Sequence, residues 1–143
     1  MNVKEIIQVG QLQLRFLLDG DDTNNQMVVF EFDIPPGAKV PVAHYHKDVE
    51  EMVYGLKGTM SCYVNGQKTW VKAGDHCFIP RGAVHYHDNQ TDEITSALCV
   101  LTPASIGPAF FREIGALLKA GPPDPAKAAE TMTRHGLIPA VNS

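Results

Sequence analysis

Short runs of apolar, β-branched and aromatic residues, broken by turn-forming clusters, fill the chain up to about residue 103. Residues 11–18 (QLQLRFLL) and 26–33 (QMVVFEFD) read as strands, and DGDDTNN from Asp19 to Asn25 reads as the loop between them. IPPG at 34–37 breaks the chain again, before AKVPVAHYH and EMVYGLKG. TMSCYV and QKTWVKAG flank Asn65-Gly66, a strong hairpin signal because both residues tolerate positive φ. IPRG at 79–82 is a further turn, and ITSALCVL at 94–101 reads as a last buried strand. Eight or nine close-spaced strands with no helix between them predict an antiparallel sandwich or barrel.

After Pro103 the pattern changes period. Phe110, Phe111, Ile114, Leu117 and Leu118 recur at helical spacing, with Pro108 in the first turn and Gly121 just beyond the end. A second helix is expected over 125–134, with Asp124 as N-cap and Gly136 as stop. The chain therefore divides into a barrel over 1–103 and a helical extension over 104–143, packed as one domain. The amphipathic helices are expected to cap the barrel or pad a dimer contact, in preference to lining the mouth of a site.

Composition narrows the class. With 143 residues, one domain with its own core is expected. Apolar residues make up 44% and charged residues 20%, which excludes wholesale disorder. The net charge of −4, with no cluster of Lys or Arg, speaks against a nucleic-acid partner. No apolar run approaches a membrane span, and the N-terminus does not resemble a signal peptide. Cys62, Cys77 and Cys99 form no CxxC, so neither a disulfide framework nor a Cys-rich zinc site is expected; reduced, buried thiols suit a cytoplasmic protein.

The chemistry lies in the histidines. Four of the six fall in two pairs, His44-x-His46 and His85-x-His87. On a strand, residues i and i+2 share a face, so each pair points together. Glu51 follows His46 by five residues, across an expected turn at Lys47-Asp48. Imidazole and carboxylate together suit a divalent transition metal such as iron, manganese, nickel, cobalt or zinc. Glu50 competes with Glu51, but neighbours on a strand face opposite ways, so only one can enter the barrel.

Gly37, His44-Tyr45-His46, Glu51 and Gly58 together resemble the first cupin motif, with six residues instead of five between Gly37 and His44. Gly74 through Pro80, Gly82, His85 and Asn89 resembles the second cupin motif without a gap. The resemblance, to quercetinase-like single-barrel cupins, implies an all-β fold: an antiparallel double-stranded β-helix, or jelly roll, here with one or two short C-terminal helices. It implies one divalent metal per chain held by His44, His46, Glu51 and His85, Glu51 being favoured over Glu50 by the motif spacing. It also implies a homodimer and a small-molecule substrate in the barrel. The expected activity is that of a metal-dependent, dioxygenase-like oxidoreductase. Isomerase, lyase or decarboxylase chemistry is the alternative, and a non-catalytic ligand-binding barrel is a third reading.

Glu51 and His87 are the candidate catalytic groups for proton transfer. His87 is equally open to bracing a ligand, touching substrate, or standing at the barrel mouth without a chemical role. His76 is expected to be structural or exposed, and His135 to be a cation in the last turn of the second helix. Tyr45 and Tyr86 should face away from the metal. Met52, Val53, Met60, Trp70, Val71 and Phe78 read as core, with Cys62 and Cys77 as small apolar fillers.

Overall fold

A computed structural model describes residues 2–38, 42–122 and 124–140. In chain order the strands are β1 (Glu5–Val9), β2 (Leu12–Leu18), β3 (Val28–Ile34), β4 (His44–His46), β5 (Glu50–Lys57), β6 (Thr59–Val64), β7 (Gln67–Lys72), β8 (His76–Ile79), β9 (His85–Asp88) and β10 (Thr95–Thr102). Helices α1 (Pro108–Lys119) and α2 (Pro125–Arg134) follow, and β11 (Leu137–Pro139) closes the series. The strands form two antiparallel sheets, ordered β1-β2-β3-β10-β5-β8 and β11-β4-β9-β6-β7. This is the expected jelly-roll barrel with two short helices after it. Of the expected strand at 38–46, residues 39–41 lie outside the described residues and the strand occupies His44–His46.

Alternation explains how the sheets face each other. Burial switches at every residue along β3 and β10, so Phe30, Phe32, Ala97, Cys99 and Leu101 point inward. Register then sets depth: Leu101 lies opposite Val28 on one side and Glu51 on the other, bringing the carboxylate to the inner face. The β6–β7 hairpin turns at Asn65 (φ 50°) and Gly66 (φ 82°), as the Asn-Gly pair predicts. Gly58 joins β5 to β6 at φ 69°, and a Cβ there would lie 2.6 Å from the Ile94 carbonyl oxygen. Both the backbone angle and the crowding require glycine.

The helices start where the sequence places them. Pro108 and Pro125 open them, and the Asp124 side chain accepts hydrogen bonds from the amides of Ala126 and Lys127. α1 lies close on β1: a Cβ at Gly115 would stand 2.6 Å from the Gln8 carbonyl oxygen. Phe111 joins Phe16 and Phe30, with ring centroids 5.6 and 5.3 Å apart, tying the helix to the barrel core.

β1 and β11 were not expected as strands. β11 pairs with β4, setting Leu137 opposite His46 and Pro139 opposite His44, so the expected helical extension also holds a strand that braces the barrel directly. Trp70 and Phe78 are about half exposed and Met52 is half-buried, whereas Val53, Met60 and Val71 are core as expected. Trp70 and Phe78 sit on β7 and β8, each at one edge of its sheet, and point to the exposed face. The Lys68 ammonium lies 3.9 Å above the Trp70 ring, covering it in part. Cys62, Cys77 and Cys99 are buried free thiols, but the first two are not isolated: their sulfurs lie 2.8 Å apart.

Candidate metal centre

β4 carries His44 and His46 on one face because they are two residues apart. β9 runs antiparallel beside it and sets His85 directly opposite His44. The three imidazoles meet with ring centroids 4.7 to 5.2 Å apart. One ligand nitrogen from each lies within 4.8 Å of the other two. The Nδ1 of His44 donates to the Val42 carbonyl oxygen at 2.7 Å, and that of His85 donates to the Ala83 carbonyl oxygen at 2.9 Å. Those bonds fix both rings and leave each Nε2 for the centre, the usual arrangement of metal-binding histidines.

Glu51 enters from β5, across the barrel. Its Oε1 lies 3.5 Å from His85 Nε2 and 3.8 Å from His46 Nε2. Its Oε2 accepts a hydrogen bond from His87 Nε2 at 3.2 Å. The carboxylate is buried, while Glu50 points outward beside Arg81 at 3.5 Å. Strand alternation thus separates the two acids as expected. His44, His46, Glu51, His85 and His87 are gathered at one place. His76 is exposed on β8, and His135 caps α2 with Nε2 3.4 Å from Glu113. Tyr86 faces away from the centre and stacks on Tyr63 with centroids 4.3 Å apart.

The electrostatics match the donor set. Burial pushes the pKa of His44 down to about 3 and that of His46 down to about 4, so both are neutral lone-pair donors at pH 7. Burial also opposes charge on His85, but hydrogen bonding and attraction to Glu51 win and raise its pKa. Burial would raise the pKa of Glu51, yet its contacts with His85 and His87 hold it well below the usual carboxylate range. The carboxylate is therefore anionic and available. Among the described residues, the Nδ1 of His46 and the Nδ1 of His87 are buried without a hydrogen-bond partner. Three histidines and one carboxylate, at least two of the imidazoles neutral, suit a first-row divalent metal, and His44, His46 and His85 could hold one.

These side chains form one end of a cavity of about 400 Å³. Its other walls are apolar: Leu14, Phe30 and Phe32 from the barrel, and Phe110, Leu118 and Met132 from the helices. The helices cap the barrel as expected, and against expectation they also line the site. The stripe at Phe110, Ile114 and Leu118 was visible as an amphipathic face, but nothing in its spacing told whether it met core, a second chain or a cavity. Asn89, the last residue of the second motif, is structural: its side chain donates to the carbonyl oxygens of Ile34 and Glu93 at 2.9 and 2.6 Å.

The Cupin_2 family, described as Cupin domain, matches residues 30–101, just over half of the chain and all five clustered polar residues. The chain belongs to the cupin family. This cupin is 32% identical over 94 residues to quercetin 2,3-dioxygenase of Bacillus subtilis, covering 66% of the chain and 27% of that enzyme. It is 39% identical over 66 residues to an uncharacterized protein of Aquifex aeolicus, covering 46% of the chain and 54% of that protein. The cupin thus spans only part of the curated relatives it matches. Among solved structures, a predicted oxalate decarboxylase from Thermotoga maritima superimposes with a TM-score of 0.64 at 26% identity, over 72% of this chain and 99% of that one. A cupin-superfamily sugar phosphate isomerase from Silicibacter pomeroyi gives 0.58 at 27% identity, over 66% of this chain and 60% of that one. No described helix is long and apolar enough to cross a membrane.

Proposed function

We propose that this cupin is a metal-dependent enzyme acting on a small organic molecule, with dioxygenase-like oxidation as its chemistry. The observation that carries the reading is the convergence of His44, His46, His85 and Glu51 on the wall of a cavity large enough for a small ligand. The three histidines would hold one divalent metal, with Glu51 Oε1 as a fourth donor. Such an ion supplies Lewis acidity toward a substrate oxygen and lowers the pKa of an enol or phenol group.

The remaining work falls to the chain's own groups. His87 Nε2–H donates to Glu51 Oε2, which fixes the ring and leaves Nδ1 as its unprotonated nitrogen. His87 is then the candidate base for a substrate proton, and Glu51 would steady the imidazolium that forms. The apolar walls exclude water and strengthen these charge interactions. Relatedness to quercetin 2,3-dioxygenase supports the oxidative reading.

A second reading is oxygen-independent isomerase, lyase or decarboxylase chemistry at the same residues. It draws on the two solved relatives, one of which is covered over 99% of its length. Oxygen uptake separates the two. Turnover of an enolisable or phenolic substrate by metal-loaded protein should consume dissolved oxygen if the first reading holds. Turnover with no uptake would establish the second, and tight binding without turnover would make the barrel a non-catalytic binder.

A further inference from the structure

The cavity is built unevenly. Its polar side chains, His44, His46, Glu51, His85 and His87, are gathered at one end. The rest of the described lining is apolar: Leu14, Phe30 and Phe32 on the barrel side, with the Phe32 ring 6.2 Å from that of His87, and Phe110, Leu118 and Met132 on the helix side. The helix side lies beyond the part matched by the family, residues 30–101.

That distribution selects a ligand. A molecule with hydroxyl or charged groups along its whole length would leave them against apolar walls without partners, and each unpaired polar group lowers affinity. A molecule with an apolar body loses nothing there and gains from each methylene removed from water. We propose that the ligand is an amphiphile, with a hydrocarbon or aromatic body and a single oxygen-bearing head, and that Phe110, Leu118 and Met132 set which body fits. The head would face the histidines and Glu51 while the body lies under α1 and α2. The head's placement rests on the metal reading above; the body's placement rests on the walls alone.

Straight-chain alkyl hydroxamates, from acetohydroxamate to decanohydroxamate, test this by calorimetric titration of metal-loaded protein. The hydroxamate supplies the oxygen-donor head, and the chain probes the walls. A matched series of n-alkanols is titrated into chelator-treated protein. Affinity should rise about fourfold per added methylene until the cavity is filled. Leu118→Trp, which occupies part of the cavity, should move that limit to shorter chains at unchanged metal content; Met132→Phe does the same from the other helix should the first variant fail to fold. A chain-length slope in the alkanols, with hydroxamates binding no better than alcohols of equal length, would keep the apolar body and overturn the metal reading. Affinity independent of chain length in both series, or a limit that neither variant moves, would overturn the inference.

Discussion

Asn89→Ala removes a buried side chain that ties the end of β3 to the loop after β9. Asn89 is almost completely buried. Its Nδ2 donates to the Ile34 and Glu93 carbonyl oxygens, and its Oδ1 accepts from the Thr91 amide and hydroxyl at 2.9 and 2.7 Å. Its backbone is bonded on both sides to the loop after β3, donating to Ala38 and accepting from Gly37. After truncation the Ile34 carbonyl is the costly loss, because Ile34 is fully buried; an unsatisfied buried acceptor costs about 1–3 kcal/mol. The partners at Thr91 and Glu93 are near the surface and can turn to water, so those bonds cost about 0.5 kcal/mol each, at the low end of the usual range. The sum is about 3 kcal/mol, against a total stability of about 5–15 kcal/mol for a domain this size. Urea unfolding should show the midpoint falling at unchanged slope, and the melting temperature should drop by about 10 °C. Metal content per folded chain should not change, since Asn89 touches none of the clustered histidines. A loss under about 1 kcal/mol, or metal loss in a variant of native stability, would refute this reasoning.

Glu51→Ala should lower metal retention on dialysis, whereas Glu50→Ala, beside Arg81 on the outer face, should leave it unchanged; equal losses would put the register of β5 in error. In the metal-free protein, His44 and His46 have folded pKa values of about 3 and about 4 against 6.5 in the unfolded chain. Below pH 6.5 the unfolded chain binds two protons that the folded one refuses, so stability falls toward pH 4 by up to about 2.7 kcal/mol per pH unit. His85 works oppositely: its raised folded pKa gives a contribution fully present below 6.5 and lost as pH rises through the folded value. Urea midpoints of chelator-treated protein should therefore peak close to pH 6.5; a midpoint that climbs steadily down to pH 4 would contradict it. Light scattering should give a dimer of the 15.6 kDa chain, and a particle of monomer mass would sink that expectation.

The cluster was legible because its signal is local. His44-x-His46 and His85-x-His87 need only the two-residue period of a strand to point together, and Glu51 is separated from Glu50 by the same period. The hairpin at Asn65-Gly66 and the helix starts at Pro108 and Pro125 are likewise written in one or two residues. Alternation fails where both faces carry large apolar groups. In β8 the sequence His-Cys-Phe-Ile offers Phe78 and Ile79 as equal candidates for the core, and only pairing with β5 turns Ile79 inward and Phe78 out. β11 is three residues long and draws its stability from β4, a partner about ninety residues earlier, so it has no signature of its own. The Phe110–Leu118 stripe failed to announce its target for the same reason: an apolar helix face states that it will be covered, not by what.

On the proposed function, this barrel holds one divalent metal at His44, His46 and His85. Elemental analysis of untagged protein, purified without chelator, tests it directly, with the His44→Ala/His85→Ala double variant as control. About one transition metal per wild-type chain, lost in the folded double variant, is expected. A wild type that holds no metal after incubation with iron, manganese, nickel, cobalt and zinc in turn would contradict it.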